Sequence, residues 1–226
     1  GDAGLMIGGA IFDVDGVLLD SLAIWDTLGE RYLRQRGITA APTLREELSS
    51  LSMAEGAMWM KTQYALQESV KDILNGLDMI MRDFYLHQVK ARTHVADIAR
   101  ELHQRQFKLG IATSGSLDLA QAALKRLGLD TWFAAFTSCE EVNAGKQHPD
   151  VYRACARKLA LDASELLVFE DAPFALRTAL SAGFHGIGVS EAHHDQKTLR
   201  QLSEIYIDEQ MSADAFIHAL HERKLI

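Results

Sequence analysis

The sequence predicts an α/β fold, in which a parallel sheet is covered by helices on both faces and an all-helical domain is inserted. Three observations lead to this class. Short apolar runs alternate with amphipathic helical patterns through most of the 226 residues. The first apolar run ends abruptly in acid at Asp13, and from about residue 21 to about residue 89 only helical patterns occur.

The strands are predicted from short apolar runs that close on a polar turn, a pattern typical of strands buried on both faces. The predicted strands are 5–13, 107–113, 133–137, 166–171 and 185–190, with a weaker candidate at 205–208. Their number and their spacing favour one parallel sheet.

Helical patterns fill the intervals between these runs, and several begin at proline or end at glycine, as helices commonly do. In the core we predict helices at 95–104, 117–127, 149–159, 172–182, 199–202 and 213–220. In the insert we predict helices at 25–36, 44–48, 53–66 and 73–89. The chain therefore divides into an α/β core, 1–20 and 90–226, and a helical domain, 21–89.

Composition narrows the class of partner. The chain has 31 acidic and 23 basic side chains, so its net charge of −8 disfavours nucleic acid and anionic membranes as partners. Two cysteines are too few for a disulfide framework. We find no signal peptide and no membrane-length apolar run, and we expect a cytoplasmic protein that is a monomer or a weak dimer.

Four carboxylates, two hydroxyls, a lysine and a glycine stand where the predicted strands end, which is where open α/β sheets bind ligands. The groups are Asp13, Asp15 and Gly16 after the first strand, Thr113 and Ser114 after the second, Lys146 after the third, and Glu170 and Asp171 at the fourth. Clustered carboxylates repel one another, and a hard divalent cation such as Mg²⁺ relieves that repulsion.

These residue types suit the transfer of a phosphoryl group. Asp13 is positioned to attack phosphorus and form an aspartyl-phosphate, while Asp15 exchanges a proton with the leaving oxygen and with water. Thr113, Ser114 and Lys146 offer donors for phosphate oxygens. Gly16 allows the sharp turn between these groups.

Four segments resemble the motifs of the haloacid dehalogenase superfamily, in the same order and with similar spacing. They are DVDGVLLDS at 13–21, IATSGS at 111–116, GKQHPD at 145–150 and VFEDAPFALRTALSAG at 168–183. The resemblance is strongest to β-phosphoglucomutase-like proteins and sugar-phosphate phosphatases. It implies a three-layer, Rossmann-like core with a helical cap.

The resemblance also implies roles for single residues. Asp13 is the nucleophile and a metal ligand, and Asp15 is the acid/base and offers a backbone carbonyl to Mg²⁺. Thr113 and the Ser114 backbone bind phosphate, and Lys146 balances charge. Asp171 is a direct ligand, with Glu170 beside it acting through water. The implied activity is Mg²⁺-dependent hydrolysis of a small phosphorylated metabolite, such as a sugar phosphate.

Other functions remain as alternatives. A phosphomutase of the β-phosphoglucomutase type shares the core, but such an enzyme has a histidine early in the first cap helix and an arginine in the cap turn. The stretches 22–25 and 48–55 contain neither. A receiver-like signalling domain carries its phosphorylated aspartate on a later strand. Dehalogenating and phosphonate-cleaving members of the superfamily lack the second aspartate, which is Asp15 here.

Two further groups of residues receive structural interpretations. The aromatic and methionine side chains of the insert are expected to form mostly its own core, with Trp25 and the turn 49–55 reaching the cleft. The sequence His193-His194-Asp195 could suggest a transition-metal site, but adjacent histidines on a strand point in different directions. We therefore expect these residues to lie in a solvated loop.

Overall fold

The computed structural model describes residues 6–226, and its sheet confirms the predicted α/β class. Six strands form one sheet in which all neighbours are parallel, in the order β3-β2-β1-β4-β5-β6. The strands are β1 (Gly9–Phe12), β2 (Lys108–Thr113), β3 (Ala135–Ser138), β4 (Leu166–Glu170), β5 (His185–Val189) and β6 (Ile205–Ile207).

The observed strands are shorter than the predicted ones or displaced from them by one or two residues. The strand predicted at 5–13 is β1, which ends at Phe12, and residue 5 lies outside the described residues. Phe133 belongs to the loop before β3, although it is buried. Its ring packs edge to face on Phe12, with the ring centroids 5.8 Å apart. The apolar run extends beyond the strand because this loop residue is also part of the hydrophobic core.

The strand order reverses between β1 and β4, which lie side by side at the centre of the sheet. Phe12 is level with Ile111 of β2 and with Phe169 of β4. The carboxyl ends of β1 and β4 therefore lie side by side at the same edge of the sheet. In doubly wound sheets the crevice at such a reversal is where ligands bind.

The core helices cover both faces of the sheet. They are α5 (Thr93–Gln104), α6 (Leu117–Arg126), α7 (Cys139–Val142), α8 (Asp150–Leu159), α9 (Pro173–Ser181), α10 (Gln196–Leu202) and α11 (Ala213–Glu222). On one face, Ile11 and Val168 pack with Tyr152 of α8. On the other, Phe169 stacks on Phe12 at 4.1 Å and contacts Phe216 of α11 at 5.5 Å. The short helix α7 was not predicted.

Residues Ser21–Val89 form a separate compact unit, here called the helical unit. It contains α1 (Ala23–Gln35), α2 (Leu44–Leu48), α3 (Met53–Gln63), α4 (Val70–Asp83) and a π-helical turn, Phe84–Gln88. The other unit consists of residues 6–20 together with Lys90–Ile226. The helix predicted at 73–89 is thus two elements, because the backbone of the last turn is wound more widely.

The interior of the helical unit is built around Tyr32, Leu33 and Ile73, which are fully buried. The expectation for the aromatic and methionine residues is only partly correct. Met60 is buried as expected, whereas Met58 is more than half exposed. Trp25, which was not expected in this core, is also more than half exposed.

The chain leaves and re-enters the α/β unit through two adjacent segments. The Asp20 amide donates to the Lys90 carbonyl at 2.9 Å, and the Arg92 amide donates to Leu18 at 2.8 Å. Leu19 and Ala91 form an antiparallel bridge between them. Within residues 6–226, no helix combines the length and apolar character needed to cross a membrane.

A partly buried ion pair between His185 and Glu204 connects β5 to the segment before β6. Nδ1 of His185 lies 3.0 Å from Oε2 of Glu204, and Nε2 lies 3.1 Å from the Ser164 carbonyl. The bond to Glu204 raises the pKa of His185. Burial is the largest single influence and would raise the pKa of Glu204. The hydrogen bond from His185 and its charge, together with the Gly186 backbone and Arg223, outweigh burial and hold that pKa below its ordinary value.

The two shifts define a pH window for stability. The His185 contribution is fully present below its unfolded pKa of about 6.5 and is lost as pH rises through the raised folded pKa. The Glu204 contribution is present above about pH 4.3 and is lost as pH falls through its lowered folded pKa. The pair is therefore most stabilising between about pH 4.5 and 6.5.

We predict that His185→Gln lowers the free energy of unfolding by up to about 1 kcal/mol at pH 5.5 and by much less at pH 9. Urea unfolding at several pH values measures this. His218→Gln is the control, because His218 and Glu222 also pair at 3.0 Å but are about 70% exposed. An equal loss at both pH values for His185→Gln would contradict the assignment.

Candidate active site

The first acidic group stands directly after β1. Asp13 is buried, and its Oδ1 accepts hydrogen bonds from the Val14 amide and from Nζ of Lys146, both at 2.8 Å. The following turn is tight, since the Gly16 amide donates to Leu19 and the Leu18 amide donates back to Val14. Gly16 has a φ of +81°, a conformation that glycine adopts without strain.

Lys146 joins the ends of β1 and β4. Besides Asp13, its Nζ donates to Oε1 of Glu170 at 2.6 Å. The Tyr152 hydroxyl of α8 donates to the same oxygen at 2.6 Å. Oε2 of Glu170 is buried and has no hydrogen-bond partner among residues 6–226. The sequence predicts that Glu170 acts through water beside a metal. The structure shows a contact that was not predicted, the hydrogen bond that holds Lys146.

Three carboxylates converge at this point. Oxygens of Asp13, Glu170 and Asp171 lie within 4.8 Å of one another, and all three residues are buried. Asp171 follows β4, as Asp13 follows β1, so the two meet because β1 and β4 are neighbours. We call these three residues the acidic cluster.

Burial governs the electrostatics of the cluster. It raises the pKa of Asp171 to about 7, against the opposing effect of a hydrogen bond from His194. Burial and the Asp13 carboxylate also raise the pKa of Glu170. Burial would lower the pKa of Lys146, but the Asp13 and Glu170 carboxylates outweigh it and hold that pKa above its ordinary value. The site thus favours additional positive charge.

The second aspartate lies near the end of β2. A Cβ atom added at Gly115 would be 3.2 Å from Oδ2 of Asp15 and 3.6 Å from Oγ1 of Thr113. Oγ1 of Thr113 accepts from the Gly115 amide at 3.1 Å. Ser114 is exposed, whereas Thr113 is buried. The predicted phosphate-binding residues of β2 and the carboxylate of Asp15 therefore lie around Gly115.

Two contacts were not predicted from the sequence. Nη1 of Arg92 donates to the Gly16 carbonyl at 2.6 Å, so the first residues after the insert support the turn after β1. The expectation of a solvated loop is wrong for His194. Its side chain is about 70% buried, and Nε2 lies 3.1 Å from Oδ2 of Asp171. The loop after β5 turns back toward the end of β4.

A cavity with a volume of about 620 Å³ lies within the helical unit. No residue of the acidic cluster lines it. Trp25, Leu28, Leu51 and Met53 give it an apolar wall. Its charged residues are Glu30 and the pair Asp26 and Arg45, whose side chains are 3.0 Å apart. Its size is within the range of small-molecule pockets.

Comparison with known proteins identifies similar phosphatases. The chain is 28% identical to hexitol phosphatase A of Escherichia coli over 217 residues, which cover 92% of this chain and 98% of the relative. It is 25% identical to the phosphorylated carbohydrates phosphatase of Thermotoga maritima, with 84% and 88% covered. It is 26% identical to the E. coli fructose-1-phosphate phosphatase YqaB, with 80% and 95% covered.

Solved structures show the same fold. A Thermotoga maritima protein provisionally assigned as a β-phosphoglucomutase superposes with a TM-score of 0.84 at 21% identity, covering 94% of this chain and 99% of the other. The β-phosphoglucomutase of Clostridium difficile superposes with a TM-score of 0.67 at 17% identity, covering 98% and 100%.

The sequence profile of one family matches residues 10–189, a range that includes the acidic cluster, Asp15, Thr113 and Lys146. Because this match covers most of the chain, the protein belongs to the haloacid dehalogenase-like hydrolases.

Proposed function

We propose that this protein is a Mg²⁺-dependent phosphatase that hydrolyses a small organic phosphate, such as a sugar phosphate, through an aspartyl-phosphate on Asp13. The observation that carries the proposal is the position of Asp13. Its carboxylate lies at the strand reversal, bonded to Lys146 and close to Glu170 and Asp171. Asp15 follows two residues later, near Thr113.

The relatives support the class of substrate. Those described above are named as phosphatases of hexitols, of phosphorylated carbohydrates and of fructose 1-phosphate. The net charge of −8 also supports a small metabolite as the partner, in preference to nucleic acid.

The donor set of the acidic cluster fits a magnesium ion. All its ligand atoms are carboxylate oxygens, and one of them, Oε2 of Glu170, is buried and has no hydrogen-bond partner within residues 6–226. When ionised, the three carboxylates and Lys146 together carry an excess of two negative charges, which a divalent cation balances. Asp13, Asp171, the Asp15 backbone and Glu170 would hold the ion, which when bound stabilises negative charge on the phosphate oxygens.

The first half of the proposed reaction forms the phospho-enzyme. A carboxylate oxygen of Asp13 bonds to phosphorus while the bond from phosphorus to the ester oxygen breaks. Asp15 donates its proton to that leaving oxygen, so the alcohol departs uncharged. Lys146 keeps Asp13 oriented through its bond to Oδ1.

The second half releases phosphate. Asp15, now ionised, takes a proton from a water molecule whose oxygen bonds to phosphorus. The bond between phosphorus and Asp13 then breaks, and both aspartates return to their starting states. We propose that the phosphate group accepts hydrogen bonds from Thr113, the Ser114 backbone and Lys146. The turn at Gly16 lies beside it.

A phosphomutase of the β-phosphoglucomutase type is the alternative function, since β-phosphoglucomutases share this fold. Both enzymes begin with the same phospho-enzyme. They differ in whether water or a second hydroxyl of the substrate takes up the phosphoryl group.

We predict that Asp13→Asn lowers kcat for p-nitrophenyl phosphate in Mg²⁺ by at least about 1000-fold, because the amide cannot attack phosphorus. Steady-state kinetics measure this, and circular dichroism checks that the variant is folded. Asp20→Asn is the matched control, since Asp20 is exposed and seven residues away. Activity that survives Asp13→Asn would exclude Asp13 as the nucleophile.

We predict that hexose and hexitol phosphates yield free inorganic phosphate in equal amount to the dephosphorylated alcohol. Phosphate release and ³¹P NMR of the same reaction measure the two fates. Formation of a positional isomer of the substrate, without free phosphate, would replace the phosphatase by a mutase.

We predict that Lys146→Met lowers the free energy of unfolding by about 3–5 kcal/mol in metal-free buffer, because it leaves buried carboxylates without their cation. Urea unfolding in EDTA measures the change. Lys158→Met is the control, because Lys158 is partly exposed and pairs with Glu141 at 2.9 Å. That variant should lose less than about 1 kcal/mol. Equal losses would show that Lys146 has no special electrostatic role.

A further inference from the structure

The loop between β5 and α10 brings His194 into contact with the buried Asp171 side chain. Nε2 of His194 and Oδ2 of Asp171 are 3.1 Å apart, and only 3% of the Asp171 side chain is exposed. The two residues are 23 positions apart in the sequence, and the parallel pairing of β4 with β5 brings their segments together.

The backbone of His194 is held from both sides. Its amide donates to the Glu191 carbonyl at 3.1 Å, and its own carbonyl accepts from Nε2 of Gln196 at 2.9 Å. Oε1 of Gln196 accepts in turn from the Tyr206 hydroxyl of β6 at 2.7 Å. These hydrogen bonds connect the backbone of His194 to β6 and hold it in place beside the sheet.

The next residue, Asp195, begins α10 as its N-cap. Asp195 caps α10, accepting from the Lys197 amide at 3.1 Å and from the Thr198 hydroxyl at 2.6 Å. His193 faces elsewhere, with Nδ1 at 2.8 Å from Oε1 of Glu191. It is through His194 that this loop reaches the acidic cluster.

A carboxylate has two oxygens and can rotate about its last bond. A donor on Oδ2 restricts that rotation and leaves Oδ1, with the remaining lone pair of Oδ2, directed at other partners. Carboxylates that bind metals are generally held in this way by a neighbouring donor, and loss of the donor weakens metal binding.

We propose that His194 is a positioning residue that orients the Asp171 carboxylate for the metal ion. The proposal rests on the proposed function, because it takes Asp171 as a ligand of Mg²⁺. In this role His194 contacts neither substrate nor metal and acts through Asp171 alone.

The experiment is titration of metal-free protein with Mg²⁺ by isothermal calorimetry, at fixed pH. His194→Ala should raise the Kd for Mg²⁺ by about 10- to 100-fold, the usual effect of removing such a donor. His194→Gln, which keeps an N–H donor on a flexible side chain, should recover part of the affinity. His218→Ala should bind Mg²⁺ like the wild type, since His218 is exposed on α11 and pairs with Glu222.

The outcomes separate this proposal from the one on which it rests. Asp171→Asn tests the ligand itself. If that variant binds Mg²⁺ normally, the assignment of Asp171 as a ligand fails. If Asp171→Asn loses Mg²⁺ while His194→Ala binds it like the wild type, only the positioning role fails.

A parallel titration with Co²⁺, followed by its visible absorption, tests direct ligation. Glu191, His194 and Asp171 also present ligand atoms within 4.8 Å of one another. Loss of Co²⁺ binding in His194→Ala with unchanged Mg²⁺ affinity would make His194 a transition-metal ligand and overturn the proposal. Thermal unfolding of the metal-free variants checks folding, and His194→Gln serves as the test if His194→Ala is unfolded.

Discussion

Negative charge buried at a single point is the constraint on which the rest of this structure depends. Asp13, Glu170 and Asp171 converge at the strand reversal, and one ammonium group, that of Lys146, is bonded to two of them. Isolating charges from water costs several kcal/mol each unless partners compensate. The loop after α7 supplies the lysine and α8 supplies the Tyr152 hydroxyl, so both have an electrostatic role beyond packing.

The meeting of the acidic residues was predictable from the sequence, and the reason is topological. All strands of a parallel sheet point the same way, so whatever follows each of them collects at one edge. An error of one or two residues in a strand boundary leaves this result unchanged. Phe133 shows why such errors occur, because apolar side chains outside a strand are buried as fully as those within it.

The supporting contacts were not predictable in the same way. His194 and Arg92 lie on segments whose direction depends on distant partners. For His194 the distant partner is Tyr206 of β6, which acts through Gln196, and for Arg92 the partner is the turn at Gly16. Tyr152 appears in the sequence only as one apolar position of an amphipathic helix, and its bond to Glu170 depends on the packing of α8 against β1 and β2. Local patterns contain no information of this kind.

The paired entry and exit of the helical unit has a consequence for the segment between them. Asp20 and Lys90 are hydrogen-bonded neighbours, and Leu19 and Ala91 form a bridge, so the sheet closes around its first strand whatever lies between them. A segment with adjacent ends can be lengthened, shortened or exchanged at little cost to the host fold. The contacts that close the α/β unit therefore place few demands on the length or the sequence of residues 21–89.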